Sequence, residues 1–170
     1  MNLRTLTLLL TLSVMAASSK GLDSDRYQPI RIQADAAMVD ESRGTSIYRG
    51  NVIIHQGTLQ VTADEVEIYT ADNQVIQIIA KAAKDPGELA HYEQQTNDAN
   101  DMASAEARKI TYLVQEERLH LAGNAKLQQV GDIFTGELLY YDLGRGIVNL
   151  DSGGSKGRVN MTISPKQPTN

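Results

Sequence analysis

From Pro29 onward the chain alternates apolar and polar positions with a period of two. In "PIRIQAD", Ile30, Ile32 and Ala34 fall on one side while Arg31, Gln33 and Asp35 fall on the other. "LQVTAD" repeats the arrangement with Leu59, Val61 and Ala63, and "RLHLAG", "AKLQQV" and "RVNMTI" continue it. Successive strand residues point to opposite faces, so this pattern predicts strands with one buried side. Turn chemistry punctuates it: RGN at 49–51, QGT at 56–58, ADN at 71–73, AGN at 122–124, LGRG at 143–146 and SGG at 152–154. DANDMASAEARK at 98–109 has a composition compatible with helix. Its first half reads as a polar loop and its second half as another strand.

A longer recurrence runs through the strands. A small residue followed at once by an acid occurs at Ala34-Asp35, Ala63-Asp64, Ala105-Glu106 and Gly136-Glu137, at intervals of 29, 42 and 31 residues. The long interval holds "HYEQQTNDAND", which reads as an insertion over about 93–102, so the underlying period is near 30. A second landmark keeps step with it: RGNVII, IAKAA, AGNAKL and SGGSKG. A fixed period of this length implies stacked supersecondary units that cannot bury an apolar face alone. The small residue is expected on the inward face where two sheets converge, with the acid turned to solvent. A parallel β-helix and a pair of antiparallel sheets both satisfy the period. Turns of two or three residues favour antiparallel pairing, since parallel crossovers need many more.

Composition narrows the setting. "MNLRTLTLLLTLSVMAASSKG" has a basic start, an apolar run from Leu6 to Ala17 and a tail of small residues, the layout of a secretory signal peptide covering about 1–20. The run is shorter than the roughly 20 residues of a membrane span. Cleavage between Ala16 and Gly21 would release a soluble protein. The remainder has the size of one domain, expected over 28–163, with 164–170 as a disordered tail. The 170-residue chain contains no cysteine, which excludes disulfides, thiol chemistry and cysteine-bound metal. Its formal charge of −5 argues against nucleic acid as a partner.

Read together, "PIRIQADAAMVDE", "YRGNVIIHQGTLQVTADEVEIY" and "ITYLVQEERLHLAGNAKLQQVGDIFTGELLYYDL" resemble the periplasmic lipopolysaccharide-transport protein A (LptA, OstA-like) family. The resemblance rests on an I-x-I-x-A-D opening, a Y-x-G-N-V turn, a G-x-L-x-[IV]-x-A-D strand and a late L-x-G-N-A-x-L, and covers residues 29–150. It implies an all-β fold, an open, elongated antiparallel β-jelly roll folded like a taco. It also implies a soluble periplasmic link that carries lipopolysaccharide from inner to outer membrane. The implied partners are the lipid A portion of lipopolysaccharide, an inner-membrane bitopic jelly-roll protein and an outer-membrane barrel translocon.

The residues themselves give a compatible picture. The inward candidates are Ile30, Ile32, Val52, Ile54 and Leu59, then Val61, Ile68, Ile76 and Ile78, and later Leu119, Leu121, Leu127, Phe134, Leu139 and Tyr141. Two aliphatic sheets can shelter acyl chains, each methylene of which is worth about 0.8 kcal/mol when removed from water. Arg31, Arg49 and Lys81 lie near strand starts or turns and are the candidates for contacting phosphates. Unpaired edge strands are expected at "PIRIQA" and "RVNMTI", and free edges pair with free edges. Self-association would then run head to tail, aligning successive grooves.

Catalytic constellations are not evident. His55, His91 and His120 lack the spacing of a zinc set. "GGSKG" is neither a nucleophile elbow nor a phosphate loop, and "NDAND" lacks the glycine and distal glutamate of a calcium loop. No cofactor is expected, and the chain reads as a non-enzyme. Two rivals remain: a polysaccharide-binding β-solenoid and a cargo-free structural β-filament. The first calls for aromatic platforms, which one Phe and no Trp hardly supply.

Overall fold

The computed structural model describes residue 25 and residues 27–83, 88–96, 101–154 and 157–165. The expected signal peptide, about 1–20, and residues 166–170 of the expected tail lie outside these. Among the described residues twelve strands follow in order: β1 (Arg31–Gln33), β2 (Ala36–Asp40), β3 (Thr45–Gln56), β4 (Leu59–Ala71), β5 (Gln74–Lys81), β6 (Ala90–Gln95), β7 (Met102–Ala107), β8 (Lys109–Leu113), β9 (Arg118–Gln129), β10 (Asp132–Asp142), β11 (Ile147–Asp151) and β12 (Asn160–Thr162). All their pairings are antiparallel.

The long strands β3, β4, β9 and β10 each bend midway and serve two layers. One layer runs β1-β3-β4-β6-β7-β9-β10-β12. The other runs β2-β3-β4-β5-β8-β9-β10-β11. The chain thus passes eight times between layers, in four out-and-back pairs. Each pass turns a corner along one side of the molecule, and the turns joining successive passes form two rims on the other. This is an antiparallel β-jelly roll with facing sheets.

The corners explain the recurring pairs. On the outward passes they fall at Ala34-Asp35, Ala63-Asp64, Ala107-Arg108 and Gly136-Glu137, so the third pair stands two residues beyond the expected Ala105-Glu106. The return corners include Gly50-Asn51 and Gly123-Asn124, where both residues have positive φ: 77° and 47°, then 81° and 53°. Only glycine takes that conformation without cost, and asparagine tolerates it better than most. The bend leaves polar groups off the ladder, and the corner acids reach them. Asp35 Oδ2 accepts from Asn51 Nδ2 at 3.0 Å, Asp64 from the Ala83 amide, and Glu137 Oε2 from the Asn124 amide at 3.4 Å. The small residue does pack inward at Ala63 and Ala105, and Asp35 and Glu137 are exposed as expected. Ala34 is exposed too, however, and Asp35, Asp64 and Glu137 tie neighbouring corners together.

One contiguous core lies between the layers, centred on Val52, Ile54, Val61, Leu119, Leu121, Leu127 and Leu139. The alternation misplaces Ile76. The β4–β5 register shifts between Tyr69 and Thr70, so Thr70 pairs with Val75 and Val75 packs against the core instead. The supposed insertion is also corrected: its beginning is strand β6, which joins β4 to β7 and buries Ala90, Tyr92 and Gln94. Ser164, placed in the tail by sequence, is tied down by hydrogen bonds to Asp132 and Gly131 at 2.9 and 2.8 Å.

Candidate functional site

The inner faces of the two layers form the candidate site. At its middle the space is filled. Tyr92 from the first layer meets Tyr112 from the second edge-on, with ring centroids 5.7 Å apart at 64°. Tyr141 crosses from the second layer and donates to Gln129 Oε1 of the first at 2.7 Å. Burial raises the Tyr141 phenol to about 12 and raises Tyr92 well above its ordinary value, so both stay neutral at physiological pH. The aliphatic alternation ends at the first rim in inward amides, Gln56, Gln94 and Gln129. An apolar floor therefore grades into a polar mouth, where Gln94 donates to Asp25 at 2.9 Å. Beside that mouth a cleft of about 440 Å³ runs between Gln28, Ile30 and Gln56 on one side and Gln74, Val75 and Val114 on the other.

At both ends the apolar lining continues without cover. Among the described residues, β1 and β2 at the N-terminal edge pair only with β3, and β11 and β12 at the C-terminal edge pair only with β10. Register places Val39 in the inward row with Ser46 and Ile68, yet Val39 is 58% exposed. Met161, paired with the inward Phe134, is 55% exposed, and Ile163 is 66% exposed. Ile30, Ile32, Phe134, Val148 and Leu150 are partly buried against the core.

The cations singled out by sequence are elsewhere. Arg49 and Lys81 stand in the row with Glu65, opposite the buried Val66 and Ala80, and so lie on the outer face. Arg49 Nε meets Glu65 at 2.6 Å, and Lys81 Nζ bonds both Glu65, at 3.2 Å, and Glu67. The Arg49 hydrogen bond holds Glu65 below its ordinary value, that of Lys81 does the same for Glu67, and Lys81 is raised in turn. Arg31 alternates outward from Ile32, across from His55. None of the three points into the groove. The histidines are also dispersed over the outer surface: His91 lies between Glu93 and Glu106 at 3.6 and 3.7 Å, and His120 packs edge-on against Tyr140.

The family described as "LptA/(LptD N-terminal domain) LPS transport protein" matches residues 31–147. The chain belongs to this family. LptH of Pseudomonas aeruginosa, a lipopolysaccharide export system protein, is 35% identical over 93% of this chain and 91% of its own length. LptA of Escherichia coli K12, which bears the same description, is 28% identical over 98% of this chain and 88% of its own. The crystal structure of P. aeruginosa LptH, described as the LptA-homologous periplasmic component of a lipopolysaccharide transport device, superposes with a TM-score of 0.73 at 34% identity. It covers 84% of this chain and 99% of that one.

Within this member of the LptA family, several lining residues escaped the sequence reading. Tyr92 and Gln94 were hidden in the supposed insertion. Val66, Ala80, Ile110 and Tyr112 continue alternations already visible in VTADEVEIY, IQIIAK and KITYL, and were legible there.

Proposed function

We propose that this chain is a periplasmic lipopolysaccharide carrier and non-catalytic bridge subunit, sheltering acyl chains between its layers. The observation that carries this reading is the apolar inner lining, which continues, uncovered, to both strand edges. An enclosed core would end in polar residues at its last strands, whereas here Val39 and Met161 stand in inward rows and remain exposed, and Ile163 just beyond β12 is exposed as well. Such edges suit continuation of the groove into a neighbour. β1 would meet β12 of the next copy and β2 would meet β11, a head-to-tail contact that does not close on itself. Its end members would be replaced by jelly-roll domains of the inner- and outer-membrane partners. The family membership and the LptH and LptA relatives support the same cargo.

A photo-crosslinking pair tests this in cells. p-Benzoylphenylalanine replaces Phe134, an inward aromatic close to it in shape, in one strain and the outward Gln60 in another. A lipopolysaccharide adduct at 134 and none at 60 is expected. Adducts at neither site in folded, exported protein would overturn the carrier reading in favour of a cargo-free scaffold.

A further inference from the structure

The first rim carries an anion cradle that the chain fills with its own carboxylate. Asp25 is only 5% exposed. Its Oδ1 accepts the Thr58 backbone N–H at 3.1 Å, while Oδ2 accepts the Thr58 hydroxyl at 2.5 Å and Gln94 Nε2 at 2.9 Å. Gln94, 3% exposed, takes the Tyr92 hydroxyl on its Oε1, which fixes its amide with the NH₂ toward the carboxylate. The β3–β4 turn is shaped around the anion: Gly57 has φ 60°, and a Cβ there would overlap the Asp25 carboxyl group. These three donors are neutral and aimed at one point, the arrangement that favours an anion wherever water is excluded. The cradle reaches the core through the buried Tyr92 bonded to Gln94. Gln28, whose amide bonds the Asp25 carbonyl and whose own carbonyl accepts from Gln56 at 3.2 Å, leads from it into the cleft at the mouth.

We infer that this Thr58–Gln94 cradle is a phosphate site. A phosphate monoester on the sugar headgroup of an acylated glycolipid displaces Asp25 and takes its three donors, while the acyl chains enter the groove beneath. The inference rests on the reading of the chain as a lipopolysaccharide carrier and adds where the headgroup is held. Asp25 is then a tethered competitor. Its effective concentration is on the order of millimolar, as for a short linkage, so it weakens binding and eases release. It also explains how the chain handles an anionic headgroup with Arg49 and Lys81 already paired on the outer face.

The test compares the exported form of the chain with its Asp25→Ala and Asp25→Asn variants. Binding is measured to lipid A bearing its phosphates and to the same lipid after their removal. Both variants are expected to bind the phosphorylated lipid about tenfold more tightly, with the dephosphorylated lipid unchanged. Adding Thr58→Val and Gln94→Leu to Asp25→Ala should abolish the gain. An equal gain for both lipids would make Asp25 a steric cover and overturn the proposal, as would no gain or a loss. A second probe does not depend on the cargo. Dodecyl phosphate, but not dodecyl maltoside, should shift the Thr58 amide resonance of Asp25→Ala. If the chain binds neither lipid, the carrier reading falls, and the Thr58 response alone decides whether the cradle takes phosphate. An unmoved resonance overturns it.

Discussion

Lys81 bonds two carboxylates on the outer face of the second layer, and Arg49 holds one of them from the other side. The groups are partly solvated, so the cluster is worth little per pair. Lys81→Met should lower stability by about 0.5–1 kcal/mol, measured by urea unfolding at neutral pH. The pH dependence follows from the shifts. Glu65 and Glu67 are lowered on folding, so their contribution is present above the ordinary value of 4.5 and is lost as pH falls through their folded values. Lys81 is raised, so its share is complete below 10.5 and lost as pH rises through its folded value. Unfolding curves between neutral and acid pH should therefore converge for Lys81→Met and the parent. A constant gap down to acid pH would refute the assignment. Tyr92 tests a buried bond. Tyr92→Phe leaves Gln94 Oε1 without its donor and should cost about 1–3 kcal/mol in the same assay. At this scale the sequence was readable wherever strict alternation held, as at Val52, Ile54, Leu119 and Leu121. It misled at Ile76, because a bulge shifts parity by one and no residue type announces it. It also misled at Arg49 and Lys81, since proximity to a turn says nothing about which face a cation takes.

The element that organises the molecule is the corner. A strand can continue from one layer to the other only if its backbone bends sharply, and consecutive positive-φ residues at Gly50-Asn51 and Gly123-Asn124 achieve this. Gly123 is constrained twice, by a φ of 81° and by the Arg108 side chain, which a Cβ would approach to 2.9 Å. Gly123→Val should cost about 1–3 kcal/mol, whereas Asn124→Gly should be close to neutral. Thermal unfolding of the two variants would show it; equal losses would mean that the bend does not depend on the glycine. The corner recurrence was visible in sequence as small-acid and Gly-Asn landmarks. Its physical meaning was not, because a dipeptide does not reveal that its carboxylate reaches the next strand. The third corner was placed two residues early for the same reason: Ala105-Glu106 has the right letters, but the bend falls at Arg108, whose amide bonds the Gly123 carbonyl at 2.8 Å.

At the scale of the whole molecule, the open edges and the groove are one design problem. Strands with free N–H and C=O groups attract any extended partner, and soluble proteins commonly protect such edges with charge or bulges. Here the edges carry Met38 and Val39 at one end and Ile147, Val159, Met161 and Ile163 at the other, all exposed. Keeping both ends apolar risks disordered association unless the edges are used in register. Growth by β1–β12 and β2–β11 pairing would bury the inward Val39 and Met161 and extend each layer across the junction. Met161→Lys puts a charge into that junction next to Phe134 of its own copy, where the monomer has solvent to accommodate it and an assembly has none. The variant should therefore remain monomeric at concentrations where the parent forms higher species by light scattering, with its melting temperature changed by only a degree or two. Its isolated groove should still bind lipid, because the core residues Leu121, Leu127 and Leu139 are untouched. Loss of assembly with retained lipid binding is the result that separates the two roles of the edge strands. Unimpaired assembly would place the self-contact on another surface, and Val39→Lys, in the inward row at the opposite end, must give the same answer if the contact is head to tail.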